Sequence, residues 1–219
     1  AGAWSYPSVT PVAGSAQVSG LLTATLAGDY VLGENPPVLF SHWRMDQTSG
    51  WSGAANEVTD SGPGAFHGVA SGLVTRPTTS AASPAIAGSP GTCRYGVFNR
   101  SNKDYVALPA GYPNLMSAAG GFTITAWINT TNSALPGQRI YIDDENNTSP
   151  GGWGFSVGET TAFGAGGLRF YYRQGATVLL DSVPIPSNQW LFVALSVKLA
   201  AGAGASSAVI YAYDTTGTL

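Results

Sequence analysis

Apolar and polar residues alternate in short runs along most of this chain, and helical spacing is nearly absent. In GFTITAWINT, Phe122, Ile124, Ala126 and Ile128 share one face, while Thr123, Thr125 and Trp127 share the other. GGWGFSVG sets Trp153, Phe155 and Val157 against Gly154 and Ser156. GLRFYYRQG sets Leu168, Phe170 and Tyr172 against Arg169, Tyr171 and Arg173. QWLFVALSVKL is apolar on both faces, as a central strand between two layers should be. AVIYAYD adds a further strand. Gly, Pro, Asn and Asp interrupt these runs at roughly ten- to twenty-residue intervals, the spacing of a sandwich or barrel. The pattern predicts an all-β fold, an antiparallel β-sandwich. Phe122, Ile124, Phe155, Phe170, Leu191 and Val193 are its expected core.

The first forty residues read differently. AGAWSYPSVTPVAGSAQVSG is small, polar and Pro-containing, and LLTATLAGDYVLGENPPVLF has room for one or two strands. Pro36 and Pro37 stiffen the chain and remove ladder donors, which makes a natural boundary. The expected organisation is therefore an N-terminal linker or accessory strand segment over 1–37 and a main domain over 38–219. RPTTSAASPAIAGSPGT, 76–92, reads as a long loop inside that domain.

Composition narrows the function classes. Only 10% of residues are charged, against about 25% in an ordinary globular domain. The net charge is -3, with Lys103 and Lys198 the two lysines. Such a chain lacks the clustered basic face that nucleic acid or an anionic membrane requires. No apolar run reaches the length of a membrane-spanning helix. No signal-peptide pattern stands at the start, and AGA there fits a chain that begins after cleavage. The lone Cys93 has no partner within the chain, so it is expected to be a reduced thiol, buried like a small hydrophobe. A surface rich in Ser, Thr, Asn and Gly suits an exported bacterial protein, secreted or held at the cell surface.

Several ordered matches point to a family. SHWRMDQTSGWSGAANEVTDSGPGAFHG, then TCRYGVFN, DYVALP, FTITAWI and GGWGFSV, resembles the laminin G-like, concanavalin A-like jelly rolls. The likeness is to the form found in mannose-sensitive haemagglutinin pilus biogenesis proteins of the Q type. It continues through QRIYIDDENN, LRFYYR and NQWLFVALSV and spans roughly residues 39–213. The resemblance implies a concanavalin A-like jelly roll that binds a glycan or a surface protein, associated with a pilus or filament and performing no chemistry. Two departures stand out. Where that family carries a second cysteine after Met-Asp, this chain has Gln47, Thr48 and Ser49, so the family disulfide is expected to be absent. Family domains also continue past the VIYAYD strand with strands that close the sheets, whereas this sequence stops at Leu219. An edge left open there would take either residues 16–32 or a neighbouring copy, which makes a filament subunit assembled by strand exchange the main alternative.

Candidate chemistry centres on RIYIDDENNTSPGGWG, where Asp143, Asp144 and Glu145 stand together. Glycoside hydrolases of this fold place their carboxylates at alternate positions of one strand. Here Asp143 and Glu145 alone share a face, ~7 Å apart by the rise of a strand, and Asn147 breaks the series. Calcium fits the stretch better. It takes about 6–8 hard oxygen ligands, and Asp143, Asp144, Glu145 and Asn146 offer carboxylate and amide oxygens in one short loop. Glu57 or Asp60 of NEVTDSGPG would complete a rim site if the two loops meet, although Asp60-Ser61-Gly62 also reads as an Asx turn. Asn and Asp at 143–146 serve equally as turn formers at a hairpin tip. His42 and His67 lack partners at metal spacing and read as hydrogen-bonded structural residues. Trp127, Arg169, Tyr171 and Arg173, opposite the expected core residues, form the candidate ligand surface: rings to stack on sugars and guanidiniums to bond hydroxyls.

Overall fold

The longest alternating runs become the strands of two antiparallel sheets packed face to face. The computed structural model describes residues 39–80, 94–118, 120–143, 152–158, 167–174, 177–200 and 206–215. It gives the backbone alone for 174, for 177–181 and for three short strands nearer the N-terminus. The chain divides into two compact units, 1–42 with 61–65, and 43–60 with 66–219.

In the smaller unit, β1 (Trp4–Ser5), β2 (Gln17–Val18) and β3 (Leu22–Ala24) form an antiparallel sheet in the order β1-β3-β2. The described parts of segment 16–32 therefore pair with each other and with β1. Elsewhere in this unit, the Ser61 amide donates to the His42 carbonyl at 2.9 Å and the Gly64 amide to the Phe40 carbonyl at 3.1 Å. Gly62 permits that approach, since a Cβ there would stand 2.7 Å from the Ser41 Cα.

The larger unit opens with paired short strands. β4 (Val69–Ser71) and β5 (Thr78–Ser80) come first, followed by β6 (Tyr95–Val97) and β7 (Tyr105–Ala107). β4 pairs with β7 and β5 with β6. The sandwich follows: β8 (Gly121–Asn129), β9 (Gln138–Asp143), β10 (Trp153–Val157), β11 (Gly167–Gln174), β12 (Thr177–Pro184), β13 (Trp190–Lys198) and β14 (Ser207–Asp214). One sheet runs β12-β11-β10-β9 and the other β14-β13-β8. The helical elements among the described residues are single 3-10 turns at Arg100–Asn102 and Leu115–Ser117.

The core lies between the sheets. Trp153, Phe155, Val157 and Leu168 of one meet Leu191, Val193, Leu195 and Val197 of the other. Phe122, Ile124, Ala126 and Ile128 pack partly buried against them. The Trp153 ring bridges the layers, 5.0 Å from Phe122 and stacked at 4.8 Å on Tyr141. Each fully buried large side chain contributes about 1.5–3 kcal/mol relative to exposure, so this contact surface holds the sheets together. Of the six expected core residues, Phe155, Leu191 and Val193 are fully buried, and Phe122, Ile124 and Phe170 line the core half-buried. β13 is the middle strand of its sheet, as its two apolar faces require. A smaller cluster of Trp51, Val58 and Ala70 lies under Trp43, Met45 and Val106.

Two elements depart from expectation. β5 falls inside 76–92, which reads as loop, because three residues are too short a run to show alternation. β12 carries Leu179 and Leu180 side by side and Asp181 next to them, so its sequence hides its period. Cys93 lies outside the described residues, as do 81–92 of the same segment.

Candidate functional site: two outward sheet faces

The outward face of β14-β13-β8 is an aromatic platform. Register places Phe192 between Trp127 and Tyr213 in one row across the sheet, and Ala194 between Thr125 and Tyr211 in the next. A third row sets Ser196 between Thr123 and Val209. Trp127 is 37% exposed, and Tyr211, Tyr213 and Val209 are exposed beside it. The Trp127 ring meets Phe192 edge to face at 5.5 Å, which fixes its tilt. The Thr123 and Ser196 hydroxyls lie 3.4 Å apart. Two strand spacings separate Trp127 from Tyr213, about 10 Å. Rings, hydroxyls and small residues thus share one open surface. Sequence reading found Trp127 and missed Phe192, Tyr211 and Tyr213. The signal was present in the period of two at 209, 211 and 213.

The outward face of the four-stranded sheet is built on different chemistry. Tyr171 is 1% exposed, so its ring is not offered to a ligand, which corrects its expected role as a stacking platform. The cause is Gly154 in the cross-strand position: a Cβ there would sit 2.5 Å from the Tyr171 Cε1, so the ring lies down over the bare backbone. Three guanidiniums surround that ring, Arg169 at 5.2 Å and Arg139 and Arg173 each at 5.8 Å from its centroid. Such cation–ring contacts are favourable, all the more where water is excluded. Arg139 reaches this face through a bulge. The β9–β10 register runs Phe155 to Tyr141 and then Ser156 to Arg139, which leaves Ile140 as the extra residue. Ile140 turns into the core and Arg139 turns out. A bulge re-aims side chains in this way, and no sequence signal announces it.

The structure therefore separates the expected ligand residues. Arg169, Tyr171 and Arg173 stand together, joined by Arg139. Trp127 stands on the other outer face, with the core between.

The acid-rich stretch begins at the end of β9. Asp143 is exposed and pairs with Trp153 of β10, so 144–152 connect a hairpin. Asp144, Glu145 and Asn146 lie outside the described residues. Burial pushes the nearby Tyr141 phenol well above its ordinary range, with Tyr112 and Asp143 adding to the effect. Asp60 is buried, and its carboxylate accepts the Phe66 amide at 2.9 Å. That geometry suits a turn brace rather than a rim ligand. The Asp60 amide donates to His67 Nδ1 at 3.0 Å, and His42 Nδ1 stands 3.3 Å from the Ser61 hydroxyl. Both histidines hold loops, as expected. Glu57 closes its own loop, accepting from the amides of Ser52 at 2.5 Å, Gly53 at 2.6 Å and Ala70 at 3.2 Å. Burial raises its pKa, yet those amides and that of Ala54 outweigh burial and hold the carboxyl below its ordinary value. Asn56 in the left-handed region, φ 63°, turns the chain so that this closure is possible. Among the described residues, no three His, Cys, Asp or Glu side chains converge as a metal centre.

Residues 100–212 match a laminin G family model described as the concanavalin A-like lectin/glucanases superfamily, over more than half of the chain. The chain belongs to this family. No curated protein and no solved structure matches it. The matched span of this laminin G-like chain takes in β7 through nearly all of β14, and so both outward faces. Lectins bind sugars and glucanases cleave them, so the family description fixes the sandwich and leaves the choice to the surface chemistry. No described helix is long and apolar enough to cross a membrane.

Proposed function

We propose that this chain is a non-catalytic binding module of a secreted or cell-surface bacterial protein, and that it engages a glycan through the outward face of β8, β13 and β14. The observation that carries this reading is the row of exposed Trp127 and Tyr213 with half-buried Phe192 between them, flanked by Tyr211 and the Thr123, Thr125 and Ser196 hydroxyls. Flat apolar rings match the C–H faces of sugars, and hydroxyls beside them satisfy sugar O–H groups without the desolvation cost of charge. About 10 Å between the outer rings of the row suits two adjoining sugar units. A pilus or filament setting is supported by the ordered likeness over residues 39–213. Calcium at 143–146 is supported by the oxygen-rich composition and by the exposed Asp143 at the hairpin.

Affinity electrophoresis of the full chain through gels containing neutral polysaccharides tests the reading. At least one polysaccharide should retard the protein, and Trp127→Ala or Tyr211→Ala should weaken retardation about tenfold, or ~1.4 kcal/mol, with the melting temperature little changed. Retardation unaltered in both variants would sink the platform. Release of reducing sugar from a retained polysaccharide would favour the glycoside hydrolase instead, with its carboxylates at Asp143 and Glu145.

A further inference from the structure

The aromatic face of β8, β13 and β14 has a direction. Four rows descend it at the successive outward positions of β13, which are Phe192, Ala194, Ser196 and Lys198. Trp127 and Tyr213 flank the first, Thr125 and Tyr211 the second, Thr123 and Val209 the third, and Gly121 and Ser207 the last. On the middle strand, side-chain size drops after the first row. Ala194 is buried and Ser196 half-buried, whereas Tyr211 and Val209 on one side and Thr125 and Thr123 on the other stay exposed. A trough therefore runs down β13 from the rings, two strand spacings or about 10 Å across, with a low floor of Ala194 and Ser196. Lys198 stands exposed at its far end, with the bare Gly121 beside it. From Phe192 to Lys198 is roughly 20 Å along the strand.

Charge is placed as sparingly as bulk. The chain carries 12 acids against 9 lysines and arginines, and a net charge of -3. Yet Lys198 is the sole charged residue in the four rows, and it makes no ion pair among the described residues. Its ammonium is a compact charge on a flexible stem, free to swing over the lower trough. The ring row crosses the strands, while the trough runs along them. A linear glycan lying on the rings thus leaves Lys198 unmet, and a ligand that turns at the rings meets both.

We propose, resting on the glycan reading of this face, that the ligand is branched and acidic. Its main chain crosses Trp127, Phe192 and Tyr213. A short branch runs down β13 over Ala194 and Ser196, between the Thr125 and Thr123 hydroxyls and the Tyr211 ring, and sets a uronate carboxylate against the Lys198 ammonium. The ammonium donates charge-assisted hydrogen bonds to the carboxylate oxygens. The overall field of an acidic protein opposes an acidic polymer, so a preference for the acidic form has to arise from this local contact.

Affinity electrophoresis of the full chain tests the branch with two polysaccharides that carry glucuronate on their branches, a glucuronoxylan and xanthan. Each is used in its native form and after reduction of its carboxyl groups to alcohols, which removes the charge and keeps the linkages. The protein should bind at least one native form about threefold more tightly than its reduced counterpart, the size of an exposed ionic contact. Lys198→Gln should bring that ratio to unity, and Lys198→Arg should keep it. Lys103→Gln removes the other lysine, which lies in a loop outside this face, and should leave the ratio as in the parent. Melting temperatures equal to the parent's show that each variant is folded. Equal binding of native and reduced forms by the parent overturns the acidic branch and leaves the ring platform standing. A ratio that survives Lys198→Gln, or falls as far in Lys103→Gln, also overturns it. Binding of neither form of either polysaccharide removes the platform and the branch together.

Discussion

At the scale of single residues, Glu57 shows how little charge this protein needs. One carboxylate gathers the amides of Ser52, Gly53 and Ala70 and thereby ties the loop at 52–57 to β4. Because its folded-state pKa is lowered from 4.5, its stabilising effect is fully present above that unfolded value and fades as pH falls through the lower folded one. Glu57→Gln should therefore cost on the order of 1 kcal/mol at pH 7, a charged hydrogen-bond loss reduced by solvent screening. The gap between variant and parent should narrow below pH 4.5 and close once both are neutral, as thermal melts across pH 2–7 would show. A gap that is constant with pH would assign the effect to shape. Residue-scale detail was also the least legible in the sequence. Tyr171 alternates with the core residues as an exposed ring would, yet the glycine across from it decides that it is buried. Arg139 sits at a core parity until the bulge moves it.

At the scale of elements, legibility follows the length of the repeat. β8 and β13 carry nine residues each, enough for a period of two to outweigh any local irregularity, and their faces fall as their sequences predict. β5 is too short and β12 too uniform in its apolar middle for the same reading. The β9–β10 hairpin lies between these cases: its strands were foreseeable, and its acid-rich connection admits both a turn and a metal. If calcium occupies that connection, a concentration about 100-fold above Kd stabilises the fold by ~2.7 kcal/mol. At roughly 2–4 °C per kcal/mol for a chain of this size, chelation should lower the melting temperature by about 5–10 °C. Replacing Asp143 and Asp144 together by Asn should abolish that response. Superimposable melts with chelator and with excess calcium would leave the turn as the whole role of the stretch.

At the scale of the molecule, two sheets present two chemistries on opposite outer surfaces, aromatic and hydroxylated on one, cationic on the other. Between the strands of its own sheet, β14 has β13 as its partner among the described residues. An edge strand of eight residues is a template for another chain, and this is where assembly into a filament would act. Deleting residues 1–37 should lower the melting temperature or change the oligomeric state in sedimentation. If both stay as in the full chain, the segment is a linker with no part in closing that edge.

The buried Trp153 has an optical consequence. Its indole N–H lacks a partner among the described residues, its surface is wholly enclosed, and Tyr141 lies almost parallel to it at 21°. An indole so enclosed emits toward the blue and is shielded from a dissolved quencher, whereas the indole of Trp127 emits from a half-wet surface and is open to one. Two of the protein's six tryptophans are thus lamps of different colour, one lit by the integrity of the core and the other dimmed or sheltered by whatever settles on the aromatic sheet.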